Sequence, residues 1–284
     1  MVTYLCQHYP VSERHACRTL PLNRATHRYR SHRDPRRALR QRLRELSQTR
    51  VRYGDRKMAV LLKREGWPVG KKLVYRLYRE EGLTLYPRLL RRRKAIVTRR
   101  ETVKVSKPNE AWSLGFVADQ LADGRRFRAL TVLDVFTREC LAIEAGVSLR
   151  GEHVVATLND ILKERAVPKK LCCDNGSEFT SQLVDLWAYQ HQVKLDFSRP
   201  GKPTDNAYIE SFNGTLRREC LNTQWFLSLT DAQQQFNRWR EEYNVSRPHR
   251  ALNDQTPTEF ASNYAAREGV EEVKTANELA LQLA

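Results

Sequence analysis

Two acidic residues carry most of the chemistry this sequence offers, Asp174 and Glu210. Asp174 ends a short apolar run, Leu171-Cys172-Cys173, of the kind that forms a buried strand. Asn175-Gly176 is a turn signal, and Ser177 is placed to cap a following helix. In open α/β sheets, reactive groups gather at the carboxyl ends of strands, where Asp174 would fall. Glu210 belongs to a helical pattern: Ile209, Phe212 and Leu216 make one apolar face. Glu210, Asn213 and Arg217 repeat that spacing one residue later and form a polar edge beside it. An acid there can hold a hard cation, and a base one or two turns on can hold phosphate. Taken singly, each acid has a plainer reading. Asp-Asn-Gly is also a tight turn, and a glutamate on a helix is also a solvated side chain.

Thirty-five residues separate the two acids. Asp174-Asn175-Gly176-x-Glu178-Phe179, followed by Lys202-Pro203-x-x-Asn206-x-x-Ile209-Glu210-Ser211-Phe212-Asn213, resembles the second and third acidic motifs of insertion-sequence transposases related to retroviral integrases. The resemblance runs from about Trp112 to Glu259 and more loosely to the N-terminus. It implies a DNA transposase acting by 3′-end cleavage and transesterification without a covalent protein intermediate. It also implies Asp174 and Glu210 as ligands of Mg²⁺ or Mn²⁺, and Lys202, Arg217 and Arg218 as contacts to the DNA end. The implied partners are terminal inverted repeats, target DNA, an upstream-frame transposase subunit and further copies of the chain on DNA.

The same resemblance exposes a gap. Its chemistry needs three carboxylates, the first lying after Trp-Ser-x and before Phe-Val. Here that stretch is Trp112-Ser113-Leu114-Gly115-Phe116-Val117, with glycine at the acidic position. Two-ion phosphoryl transfer places the ions roughly 4 Å apart, bridged by such a group. Asp119, four residues on, lies roughly 13 Å away along a strand. Asp134, on the next strand, is closer, but the resemblance gives an acid there only a supporting role. The expectation is an impaired enzyme, with a catalytically inactive DNA-binding remnant that occupies element ends as the alternative.

Charge distribution points to the same class of partner. The net charge is +17, yet residues 1–100 hold 28 Lys+Arg against 7 Asp+Glu, and the remainder holds 22 against 26. A basic front third joined to a near-neutral remainder is the electrostatic footprint of nucleic-acid binding. No run approaches the roughly 18 apolar residues of a membrane span, and the N-terminus does not read as a signal peptide. Six cysteines without a CxxC pair read as reduced thiols, so a cytoplasmic protein without a membrane partner is expected. Cys6, His8, His15 and Cys17 fit no structural zinc spacing.

The elements that must position the acids follow from periodicity. Residues 1–35 read as short helices broken at Pro10 and Pro21, with Ser12 as a cap and a basic third helix from Leu22 to Tyr29: a helix-turn-helix-like segment. Residues 36–86 form a second such domain. Its helix faces are Leu39/Leu43/Leu46, Met58/Leu61/Leu62 and Leu73/Val74/Leu77/Tyr78, with Lys71, Lys72 and Arg76 on the outer face as DNA contacts. Arg52-Tyr53-Gly54 matches a signature of the same family. Residues 87–108 are a basic linker in which Arg91, Arg92 and Arg93 track phosphates.

From residue 109 to 264, strands are expected at Trp112 to Ala118, Phe127 to Leu133, Glu139 to Ala145, Lys169 to Asp174 and Val193 to Phe197, with a hairpin turn at Asp123-Gly124. Helices are expected at Val154 to Leu162, Phe179 to Tyr189 and Leu229 to Tyr243. Three antiparallel strands followed by alternating helices and strands make an α/β, five-stranded mixed sheet flanked by helices. By resemblance this is a ribonuclease-H-like integrase core. Residues 265–284 are a tail.

Overall fold

The computed structural model describes residues 1–30, 36–85, 105–199 and 203–268. Arg91, Arg92 and Arg93, Lys202, most of the linker and most of the tail lie outside these residues. The chain divides into two compact units, Met1–Arg42 and Leu43–Ala284.

In the first unit, α1 (Val2–His8), α2 (Glu13–Thr19) and α3 (Arg24–Arg28) follow the expected breaks. Ser12 caps α2 by accepting the His15 amide, and Asn23 caps α3 by accepting the Ala25 amide. Cys17 is buried with Val2 and Ala16, whereas Cys6 is exposed and His8 Nδ1 bonds Tyr4 O. The third helix is shorter than expected because its first turn begins only after the Asn23 cap.

Helix α4 (Arg37–Thr49) spans the boundary between the units, and α5 (Asp55–Arg64) and α6 (Lys71–Glu80) lie in the second. Leu43, Met58, Leu62, Val74 and Leu77 are buried at the expected spacing. Gly66 (φ +85°) and Gly82 (φ +69°) follow the ends of α5 and α6 in the left-handed region that glycine tolerates. Tyr78 Oη donates to Tyr53 O at 3.1 Å, and Lys57 and Arg64 pair with Glu219 and Glu259.

The rest of this unit is a five-stranded sheet in the order β3-β2-β1-β4-β5. Strands β1 (Ala111–Gln120), β2 (Arg126–Asp134) and β3 (Cys140–Gly146) are antiparallel; β4 (Lys170–Cys173) and β5 (Lys194–Phe197) run parallel to β1. The Asp123-Gly124 turn joins β1 to β2, closed by Leu121 N donating to Arg125 O at 2.8 Å.

Period-two alternation sorts β1 onto two faces. Trp112 and Leu114 pack with Leu158 of α7 (Gly151–Leu162) and Trp187 of α8 (Gln182–Gln190). Val117 packs on the other face with α9 (Ala207–Glu219) and α10 (Leu229–Val245), through Ile209, Phe212 and Phe236. Ser177 does not cap a helix. Its hydroxyl reaches Glu178, and a short turn carries the chain to Ser181, the residue before α8. Phe179, expected to open that helix, is instead buried in the turn before it. Among the described residues no helix is long and apolar enough to cross a membrane.

Candidate functional site

The register of the sheet brings the relevant positions together. Strands β1 and β4 pair in parallel with Ser113 beside Cys172, so Gly115 and Asp174 are each two residues further on. By alternation Gly115 falls on the face covered by α9, and Asp174 is the first residue after β4, in which Leu171 and Cys173 pack on the opposite side and Cys172 lies in the cluster that Tyr208 of α9 packs against. Asp174 is exposed, and its Oδ1 accepts the Gly176 amide at 2.9 Å. The tight-turn reading of Asp-Asn-Gly therefore holds, and the carboxylate keeps accepting capacity beyond that one bond. Asn175 Nδ2 ties the turn to Ser198 O at 2.7 Å. A Cβ at Gly176 would come within 2.9 Å of both Asp174 Oδ1 and Glu178 Oε2, so glycine keeps that space clear.

Helix α9 lies across β1. A Cβ built on Gly115 would sit 3.0 Å from Ile209 Cγ1 and 3.1 Å from Asn213 Nδ2. Thr131 Oγ1, opposite Gly115 on β2, lies 3.0 Å from Gly115 O and 2.8 Å from Asn213 Oδ1. Further along, Arg217 Nη2 donates to Ala118 O at 2.7 Å. The expected polar edge thus leans on the sheet through Asn213 and Arg217. Glu210, on the side of α9 turned away from the Phe212–Trp239 contact with α10, is exposed. Among the described residues it makes no side-chain hydrogen bond or ion pair, and partial burial raises its pKa above the usual carboxylate value. Its place in the first turn suits an acid, because the helix dipole is positive there.

Asn206 joins these parts, and sequence reasoning gave it no role. It is 6% exposed. Its Nδ2 donates to Leu114 O at 3.0 Å and Cys172 O at 3.2 Å, and its Oδ1 accepts from Ser113 Oγ. Two signals were available: Asn206 is a matched position of the third acidic motif, and an asparagine just before a helix ordinarily reads as a cap.

Neither neighbouring acid replaces the missing one. Asp134 pairs with Trp112, three positions along β1 from Gly115. It is buried, and its oxygens accept the backbone amides of Asn109, Phe136 and Thr137 at 2.8 Å each. Asp119 lies opposite Phe127 and accepts the Gln120 amide. Among the described residues no group of three or more His, Cys, Asp or Glu could hold a metal ion.

The other predicted contacts are dispersed. Lys71, Lys72 and Arg76 lie together on the exposed face of α6, where Lys71 approaches Asp254 at 3.7 Å and Arg76 approaches Glu80 at 3.6 Å. Arg218, near the C-terminal end of α9, donates to Thr215 Oγ1 at 3.2 Å.

A 3-2-1-4-5 mixed sheet with helices on both faces, preceded by helical elements, is a ribonuclease-H-like integrase core. Integrase core domain models match residues 105–203 and 191–257, and an HTH-like domain model matches residues 34–95. The IS407 insertion-element protein of Burkholderia multivorans is 43% identical, the match covering 90% of this chain and 92% of the relative. The IS476 insertion-element protein of Xanthomonas euvesicatoria is 41% identical over 93% of this chain and 76% of the relative. The transposase for insertion sequence element IS904 of Lactococcus lactis is 28% identical over 67% of this chain and 73% of its own. Among solved structures, a chain of the simian T-cell lymphotropic virus intasome shares the fold, with TM-score 0.51 and 12% identity, over 77% of this chain and 74% of its own. The chain belongs to the family of insertion-sequence transposases with an integrase-like core.

Proposed function

We propose that this chain binds the terminal inverted repeats of its element and performs divalent-ion-dependent cleavage and strand transfer into target DNA, with activity depressed by Gly115. Asp174 and Glu210 are the ion ligands in this reading. What supports it is that Asp174 directly follows β4, level with Gly115 in the β1–β4 register, that Glu210 lies in the first turn of the helix packed against Gly115, and that among the described residues no cation of the protein is paired to either acid. Such a donor set suits one hard, oxygen-preferring ion such as Mg²⁺ or Mn²⁺. It does not suit a pair, because position 115 offers no oxygen ligand from a side chain. When bound, the ion would supply Lewis-acid stabilisation of the negative charge that develops on the phosphoryl and leaving oxygens.

The residues divide the remaining work. Asp174 and Glu210 bring negative charge to the ion, and Lys202, Arg217 and Arg218 hold the DNA end. Lys71, Lys72 and Arg76 on α6, with Arg91, Arg92 and Arg93 in the linker, grip phosphates further away. Residues 1–35 and 36–86 serve as DNA-reading domains, 87–108 as linker, 109–264 as the catalytic core and 265–284 as a tail. An upstream-frame subunit and further copies of the chain complete the assembly on DNA.

Strand transfer on end-labelled DNA tests the reading. The expected result is product in Mn²⁺ or Mg²⁺ at a trace level, raised roughly 10⁴-fold by Gly115→Asp, as for loss of one member of a concerted site. Robust activity left unchanged by Gly115→Asp sinks the impairment. Gly115 also favours a second reading, a remnant that occupies element ends without catalysis. That reading predicts terminal-repeat binding with no ion-dependent product before or after the substitution.

A further inference from the structure

We infer that Asn206 is the positioning residue that sets the gap between Asp174 and Glu210. The inference rests on the reading of those two acids as ion ligands.

Asn206 stands at the helix N-cap position, where an asparagine side chain ordinarily accepts an amide of the first turn. Here it makes no such bond to α9. The carboxamide turns into the sheet instead, at the point where the β1–β4 ladder ends at Ser113 and Cys172. Its two N–H donors take Leu114 O and Cys172 O, one carbonyl from each strand. Its oxygen accepts the Ser113 hydroxyl. Leu114 immediately precedes Gly115, and Cys172 lies two residues before Asp174.

One buried amide therefore staples the start of α9 to both strands that lead into the site. Glu210 is four residues along, roughly 6 Å up the same helix face. A slip at Asn206 moves Glu210 as a rigid body relative to Asp174. Only an amide of this length supplies two donors and one acceptor here. Aspartate would set a charge against two carbonyl oxygens, and alanine would orphan three polar groups in a buried site.

The test is Mn²⁺ titration of the full chain by electron paramagnetic resonance, with Mg²⁺ competition, and with thermal melts in the absence of metal. Asn206→Asp and Asn206→Ala are expected to weaken Mn²⁺ binding roughly 10-fold or more, the size typical for residues that orient ligands. They are also expected to change the Mn²⁺/Mg²⁺ preference, which a purely structural loss would leave alone. Ser113→Ala removes one of the three bonds and should weaken binding less, in the same direction.

Asp174→Ala separates the two claims. If it leaves binding as in the parent chain, or if the parent binds no Mn²⁺, the ion reading fails and the inference falls with it. If Asp174→Ala abolishes binding while folded Asn206→Asp keeps parental affinity and preference, the inference alone is overturned. Where both Asn206 variants fail to fold, Ser113→Ala decides, and parental affinity there overturns the inference.

Discussion

Helix α9 carries a glutamate near each end, and the two live in opposite surroundings. Glu210, in the first turn, is exposed and among the described residues has no partner. Glu219, the last residue, has a side chain only 10% exposed and is gripped by three donors. Arg247 Nε and Nη2 reach it at 2.8 and 2.9 Å, and Lys57 Nζ at 3.0 Å. Burial alone raises a carboxylate pKa, and at Glu210 nothing opposes it. At Glu219 burial also pushes upward, but the Arg247 hydrogen bonds and charge, then Lys57, outweigh it, and the pKa falls below the usual value. The difference separates an acid paired within the fold from one that, among the described residues, is left unpaired. A structural carboxylate is neutralised within the fold; the proposed ion ligand is the one without a partner in it.

The largest effect should come from removing the gripped acid. Glu219→Ala leaves Arg247 buried and uncompensated, at a cost of about 3–5 kcal/mol in urea unfolding. The double replacement Glu219→Leu with Arg247→Met should recover most of that loss. If Glu219→Ala costs no more than a surface substitution, the contrast between the two ends disappears.

A smaller, pH-dependent effect comes from the same cluster. Burial, then the neighbouring cations Arg247, Lys57 and Arg138, push His249 down to about 3 from its ordinary 6.5. The unfolded chain therefore takes up a proton that the folded chain refuses. Between about pH 6.5 and pH 3 stability declines as the pH falls, because the unfolded state binds more protons there. His249→Gln should flatten that part of the stability-against-pH curve. A parental slope in the variant would remove His249 from the account.

The smallest effect is expected at the other end of α9. Glu210→Gln should change unfolding stability by no more than about 0.5 kcal/mol, as for a surface site without partners. A stability loss comparable to that of Glu219→Ala would show that Glu210 is structural after all.

The linear pattern of residues was enough to establish the elements and the family. Apolar spacing located the five strands and the major helices, because burial on one face imposes a period of two or of 3.6. The Asp174 and Glu210 motifs, and the glycine between Leu114 and Phe116, were visible as residue types at fixed distances. Local chemistry was less dependable at Ser177, which looked like a cap, whereas α8 begins only after Ser181 and Phe179 is buried in the turn between them.

Only tertiary structure decided what Asn206 and Glu219 do. Asn206 reaches carbonyls 92 and 34 residues away in sequence, and Glu219 meets Lys57 across 162 residues. Such contacts leave no periodic trace, because they depend on where strands align and where a helix crosses them. Composition and spacing determined which groups this chain owns; sheet register and the lie of α9 decided which of them are spent inside the fold and which stay open.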